Sequence, residues 1–154
     1  QMAVIEFARH VARLRDASSE EVNPKTKHPV IHVMEQQKRL IEERHFGGTI
    51  GLGEWPCVLT KGTVTARAYG STKGIFERHR HRYEFNNPYR ERLEKHGLVV
   101  SGTSPDGLLV EAVELKNHPF FVGTQFHPEY CSTPLHPHPL FVGFIKASHK
   151  HKRK

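Results

Sequence analysis

Residues 120–129 read Phe120-Phe121-Val122-Gly123-Thr124-Gln125-Phe126-His127-Pro128-Glu129. An apolar, β-prone run stops abruptly at His-Pro-Glu. Pro128 fixes its own φ and disfavours helix at His127, so the run is confined to extended chain up to that point. In extended chain, residues two apart project to one side. His127 and Glu129 are therefore expected side by side at a strand's end. A carboxylate there orients an imidazole and stabilises its protonated form, which supplies two members of a nucleophile–His–acid triad. The third member is missing from the neighbourhood. The chain has 13 His, so the competing reading of His127 is one more surface or structural histidine.

At 154 residues the chain is one domain with enough length for a sizeable core. Mean hydropathy of −0.58 and an apolar content of 36% describe a somewhat polar globular chain. No apolar run approaches the roughly 20 residues of a membrane helix, so no membrane partner is expected. Cys57 and Cys131 are far apart and give no disulfide framework, which points to a reducing, cytoplasmic setting. The formal charge of +7 invites a nucleic-acid reading. Much of the excess sits in His149-Lys150-His151-Lys152-Arg153-Lys154, however, and residues 149–154 read as a basic, solvated tail after a domain of residues 1–148. Elsewhere most Lys and Arg alternate with Glu, and no nucleic-acid partner is expected.

The chain opens as a helix already under way. Val4, Phe7, Ala8, Val11 and Ala12 follow helical spacing, and the helix is expected to end near Leu14. No N-cap residue precedes it and no initiator Met comes first, so the chain is expected to be a piece of a longer one. Residues 16–27 read as a polar loop, residues 28–33 as a short strand, and residues 34–44 as a loop or short exposed helix. Residues 47–53 read as a glycine-rich turn leading into a short strand. Residues 61–69 read as a strand or the approach to one, and residues 76–85 as one extended segment. Residues 88–96 read as a short helix stopped by Gly97. Two strands follow, residues 98–102 and 108–115, joined by the hairpin signal Pro105-Asp106-Gly107. The strand ending at His127 comes next, then a helix over residues 140–147. The pattern predicts an α/β fold with a hairpin-rich second half.

Arg78-His79-Arg80-His81-Arg82-Tyr83-Glu84 is the second sharp feature. In a strand its three Arg share one face and its two His the other. Guanidinium groups suit bidentate capture of a carboxylate or phosphate. The alternative is an exposed basic strand paired with Glu77 and Glu84. An RNA-binding reading lacks a spaced aromatic platform. His127, Glu129, Cys131, His136 and His138 could be grouped as a metal cluster, but their spacing matches no strong zinc pattern and no metal is expected. Cys57 reads as structural and Cys131 as an inert loop thiol. Glu20 and Glu21, taken singly, read as solvated loop carboxylates. Residues 47–53 lack the Gly-Lys-Ser/Thr ending of a phosphate loop.

Taken together, these segments resemble the glutaminase domain of the CTP synthases, which are class I glutamine amidotransferases. The resemblance rests on Met2-Ala3-Val4-Ile5-Glu6-Phe7-Ala8-Arg9, Gly47-Gly48-Thr49, the run from Glu77 to Glu84, the run Asn117-His118-Pro119 through Glu129, Ser132-Thr133-Pro134-Leu135 and Pro139-Leu140-Phe141. It covers almost the whole chain except the basic tail. His-Pro-Glu is shared by many class I amidotransferases, whereas the Arg-His-Arg-His-Arg-Tyr-Glu and Asn-His-Pro-Phe-Phe runs are particular to CTP synthases.

The resemblance implies a flavodoxin-like central sheet flanked by helices, incomplete on its N-terminal side. It implies a ligase that hydrolyses glutamine at a Cys and passes ammonia to a synthase domain, where UTP is aminated to CTP with ATP and Mg. His127 matches the general base and Glu129 its orienting acid. Gln1 matches the residue closing the nucleophile motif, Glu21 the acid that holds the substrate amino group, and Arg82 the group facing its α-carboxylate. The nucleophile falls upstream of Gln1, so this piece alone is expected to be inactive. Its expected partners are glutamine, the synthase domain of the same chain and further copies in a homotetramer. No cofactor is expected in this domain, with GTP as allosteric activator of the whole enzyme. Gly51 replaces the family's Arg, and the segment before it is shortened, in a region linked to the GTP response. Another class I glutaminase, or a basic RNA-binding fragment, stands as the alternative.

Overall fold

The computed structural model describes residues 1–33, 52–72 and 74–152. The elements are α1 (Met2–His10), β1 (Ala17–Ser19), β2 (His28–Val33), β3 (Leu52–Leu59), α2 (Val64–Tyr69), β4 (Ile75–Arg80), β5 (Tyr83–Phe85), α3 (Arg90–Lys95), β6 (Leu98–Thr103), β7 (Val110–Leu115), β8 (Val122–Thr124) and α4 (Pro139–Lys152). Strands β1-β2-β5 form one sheet and β4-β3-β6-β7-β8 another. Among the described residues, β1 and β2 pair in parallel and the other strand pairs are antiparallel. Expectations for residues 34–51, including the Gly47-Gly48-Thr49 turn and Gly51, lie outside the described residues.

Helix α1 buries Val4, Ile5, Phe7 and Ala8 against Ala17, Val30, Ile31, Leu98, Val110 and Val113. It ends at His10, earlier than its apolar spacing predicts, and leaves Val11 44% exposed. Arg13 takes a left-handed φ of 60°, and the Leu14 N–H closes onto Ala8 O at 2.9 Å. That stop is of the kind usually marked by glycine, and an arginine there gives no warning in sequence.

Within residues 61–69, expected to be a strand or the approach to one, Val64–Tyr69 form helix α2. The β-branched Val64 and Thr65 look strand-like. Thr63, however, caps the helix by accepting the Ala66 N–H, and Gly70 ends it at a φ of 66°. Glu114 on β7 adds a second cap: its buried carboxylate accepts the N–H groups of Val64 and Thr65 at 2.9 and 3.0 Å. A carboxylate 49 residues away decides the local structure.

The run from residue 76 to 85 is two strands in two sheets, not one. Strand β4 joins β3, β5 joins β2, and His81 and Arg82 are the link. Alternation shows that a segment is extended and does not show which sheet it enters. The polar segment 16–27 also hides a short strand, β1, with all three residues buried. The hairpin of β6 and β7 forms as the Pro105-Asp106-Gly107 signal predicts, with Gly107 at φ 75°. Helix α4 continues through His149, Lys150 and His151 to Lys152, so part of the basic stretch is helical. The Lys150 and Lys152 cations lie in its last turn, where the helix dipole favours them.

Candidate active site

Phe126 is buried and anchors the segment that follows β8. One residue on, the His127 N–H donates to Arg78 O of β4 at 2.8 Å. His127 itself is extended (φ −107°, ψ 91°), and Pro128 then starts a 3-10 turn over Pro128–Cys131. The turn brings Glu129 back toward the imidazole, and His127 Nδ1 lies 2.6 Å from Glu129 Oε1. The pair was expected from the period of a strand. The strand ends at Thr124, however, and the turn at Pro128 makes the contact. The Tyr130 ring stacks on His127 at 5.0 Å and fixes the plane of the imidazole. The His127 side chain is 36% exposed, so the supported ring is still partly open to solvent. The hydrogen bond from His127 holds the Glu129 carboxyl below the usual carboxylate range.

Gln1 stands at the N-cap of α1, and its side-chain Nε2 donates to Tyr83 O at 2.7 Å. Arg82 is exposed in the link directly before Tyr83. Glu21 is exposed in the turn after β1, where its N–H donates to Ser19 Oγ. Its neighbour Glu20 is engaged differently, with a carboxylate that accepts the Val33 N–H at 3.1 Å. Strand register puts these residues at one end of the three-stranded sheet. β1 and β2 run in parallel and finish at Ser19 and Val33, and β5 starts opposite Val33 at Tyr83. Glu21, Arg82 and Gln1 thus meet the carboxyl ends of the parallel pair, the edge where open α/β sheets bind ligands. His127 and Glu129 are joined by direct contact, and Gln1 is tied to the residue after Arg82. No contact between Glu21 and Arg82 is formed among the described residues.

Behind this edge lies a polar chain, half-buried at Gln125 and His81 and buried at His79 and Glu111, that the sequence reading missed. Gln125 Nε2 stands 2.7 Å from Tyr83 O and 3.0 Å from His81 Nδ1, and His81 Nε2 stands 3.0 Å from His79 Nδ1. Glu111 Oε2 lies 3.5 Å from His79 Nδ1. Burial lowers His79 and His81 to about 4. Burial, with the charge of Glu84 adding, raises Glu111 to about 7. The His79–Glu111 contact is therefore between a neutral ring and a carboxyl that titrates near neutrality, not an ion pair. His79, His81 and Glu111 have donor atoms within 4.8 Å of one another, the spacing of a metal site. The hydrogen-bonded chain accounts for the ring-to-ring contact with no ion. One cue to Gln125 was available: Gln125, His127 and Glu129 alternate along the same run.

The metal grouping weighed around His127 comes apart. His138 is buried in a hydrogen bond to Glu77 Oε1 at 2.9 Å, and His136 and Cys131 are exposed. Cys57 is buried, and burial, then the charges of Glu111 and Glu77, push its thiol up to about 12. It is inert as a nucleophile at neutral pH. Among the described residues no helix is long and apolar enough to cross a membrane.

The model of the family described as glutamine amidotransferase class-I matches residues 1–147. The chain is 55% identical over 154 residues to a CTP synthase of Christiangramia forsetii, covering 100% of this chain and 28% of the relative. It is 56% identical to a CTP synthase of Clostridium kluyveri, with the same coverage. It is 58% identical over 147 residues to that of Rubrobacter xylanophilus, covering 96% of this chain and 26% of the relative. The chain thus spans little more than a quarter of the length of these relatives. Among solved structures, the glutaminase domain of Trypanosoma brucei CTPS with bound acivicin superposes with a TM-score of 0.88 at 37% identity, over 97% of this chain and 57% of that one. With its His127–Glu129 pair at the sheet's edge and these likenesses, the chain belongs to the class I glutamine amidotransferases and, within them, is similar to the glutaminase domain of CTP synthases.

Proposed function

We propose that this chain is the glutamine-hydrolysing part of a CTP synthase and supplies ammonia for the ATP-dependent amination of UTP. The observation that carries the reading is the 2.6 Å His127–Glu129 contact, with the imidazole partly open to solvent. In this scheme a cysteine thiolate attacks the side-chain amide carbon of glutamine. His127 takes the thiol proton and gives a proton to the departing ammonia. It next removes a proton from the water that cleaves the glutamyl thioester. Glu129 holds the ring in the tautomer with Nδ1–H toward itself, leaving Nε2 to exchange protons with the reactants. Glu21 takes the substrate ammonium and Arg82 its α-carboxylate, since an α-amino acid needs one group of each sign. Gln1 lies beside Arg82 and completes the glutamine site.

Buried Cys57 is unsuited to the nucleophile's role, and Cys131 does not occupy the family's nucleophile position. The reading assigns that thiol, with the UTP and ATP sites, to the rest of a longer protein, and the isolated 154-residue piece is proposed to be inactive. ATP with Mg, activation by GTP, a tetramer and a cytoplasmic setting belong to the same proposal for the parent.

The test compares glutamine-supported and ammonia-supported CTP formation by the full-length parent, with and without His127→Ala. The reading requires loss of the glutamine reaction by about 10²–10⁴-fold with the ammonia reaction intact. A parent that makes CTP from neither nitrogen source overturns the CTP synthase reading. Retention of glutamine-supported synthesis in His127→Ala overturns the role of His127.

A further inference from the structure

Arg82 sits on a two-residue link between strands of different sheets, and its guanidinium is exposed. Across the link, His81 Nδ1 lies 3.0 Å from Tyr83 O. Both of its flanks are held by one side chain, that of Gln125. The Gln125 Nε2 lies 2.7 Å from Tyr83 O and 3.0 Å from His81 Nδ1.

Tyr83 O accepts from Gln1 Nε2 and from Gln125 Nε2, each at 2.7 Å. His81 Nδ1 lies 3.0 Å from the same carbonyl oxygen and 3.0 Å from Gln125 Nε2, so ring, amide and carbonyl meet at one point. His81 Nε2 lies 3.0 Å from His79 Nδ1, which ties the ring to β4.

Gln125 is also two residues from His127 on the same stretch, whose backbone is tied to β4 through Arg78 O. One residue therefore connects the imidazole segment to the Arg82 link. Resting on the glutamine-site reading above, we infer that Gln125 is a positioning residue for glutamine. Its side-chain amide, donating to Tyr83 O and lying against His81 Nδ1, holds the His81–Tyr83 link so that Arg82 meets the substrate carboxylate in register with His127.

The test uses the full-length parent and measures KM and kcat for glutamine, with ammonia-supported synthesis as the internal measure of folding. Gln125→Glu keeps the shape and removes both donors. It is expected to raise the KM for glutamine about tenfold or more, since small misplacements of a binding group are costly. Its kcat is expected to stay within about threefold. Arg82→Ala is expected to raise KM at least as far, and the double variant to be no worse than Arg82→Ala alone. Gln125→Met, neutral and of similar length, separates lost donors from added charge and is expected to raise KM equally. Unchanged KM in Gln125→Met, or effects of Gln125 and Arg82 that multiply, overturn the positioning role. An unchanged KM in Arg82→Ala instead overturns the assignment of Arg82 within the glutamine site, and the positioning role with it.

Discussion

His138 Nε2 donates to Glu77 Oε1 at 2.9 Å, and both side chains are almost wholly buried. The donor is known because the other ring nitrogen, Nδ1, accepts the Leu140 N–H at 3.2 Å. The Tyr69 hydroxyl donates to the same carboxylate oxygen at 2.6 Å. The bond joins β4, whose Arg78 carbonyl holds the His127 N–H, to the start of α4. His138→Ala is expected to destabilise the protein by about 1–3 kcal/mol, because the buried carboxylate loses a donor. Urea unfolding of wild type and variant measures it. A change below about 0.5 kcal/mol would mean that this contact does not hold α4 in place.

Glu129 acts through His127, so its removal is expected to be the milder loss. In the full-length parent, Glu129→Ala should cost roughly 10²-fold less in kcat/KM than His127→Ala. The double variant should match His127→Ala alone. The carboxyl of Glu129 titrates below its ordinary value in the folded chain because of the His127 hydrogen bond. The stability this pair adds is therefore present above the unfolded carboxylate pKa and fades as pH falls through the folded one. NMR titration of Glu129 in wild type and His127→Ala checks the direction: loss of His127 should move it up.

Glu111 gives the opposite sign. Its folded carboxyl is raised to about 7, first by burial and then by Glu84. A raised acid stabilises the fold below its unfolded pKa, and that contribution is lost as pH rises through the folded value. His79 and His81, lowered to about 4, act in reverse over the same span: their contribution is present at neutral pH and lost on acidification. Glu111→Gln removes the first effect and leaves the second. Relative to wild type, the variant should gain stability between pH 5 and pH 8, on the order of 2 kcal/mol. Urea midpoints across that range supply the measurement, and a pH-independent difference would contradict a neutral buried carboxyl.

The two thiols should behave differently. Cys57 is buried with its thiol raised to about 12, whereas Cys131 is exposed. A disulfide reagent at pH 8 should modify one thiol in the native protein and two in denaturant. Cys131→Ser should leave none reactive in the native state. Rapid native labelling of Cys57 would show that the β3 region opens.

The sequence by itself determined what depends on neighbours along the chain. The Pro105-Asp106-Gly107 turn, the strand at His28–Val33, the helix at Pro139 onward and the His127–Glu129 pair are all local consequences of turn chemistry, periodicity and Pro128. Local rules could not reveal that Glu114 caps α2 from β7, that Arg13 halts α1, or that β4 and β5 enter different sheets. Gln125 shows the divide within one residue. Its alternation with His127 is written in the chain, but its two partners lie 42 and 44 residues away. Only the tertiary structure brings Tyr83 O and His81 within hydrogen-bond reach. Hydrogen bonds demand atoms within about 3 Å, and sequence separation carries no information about that distance.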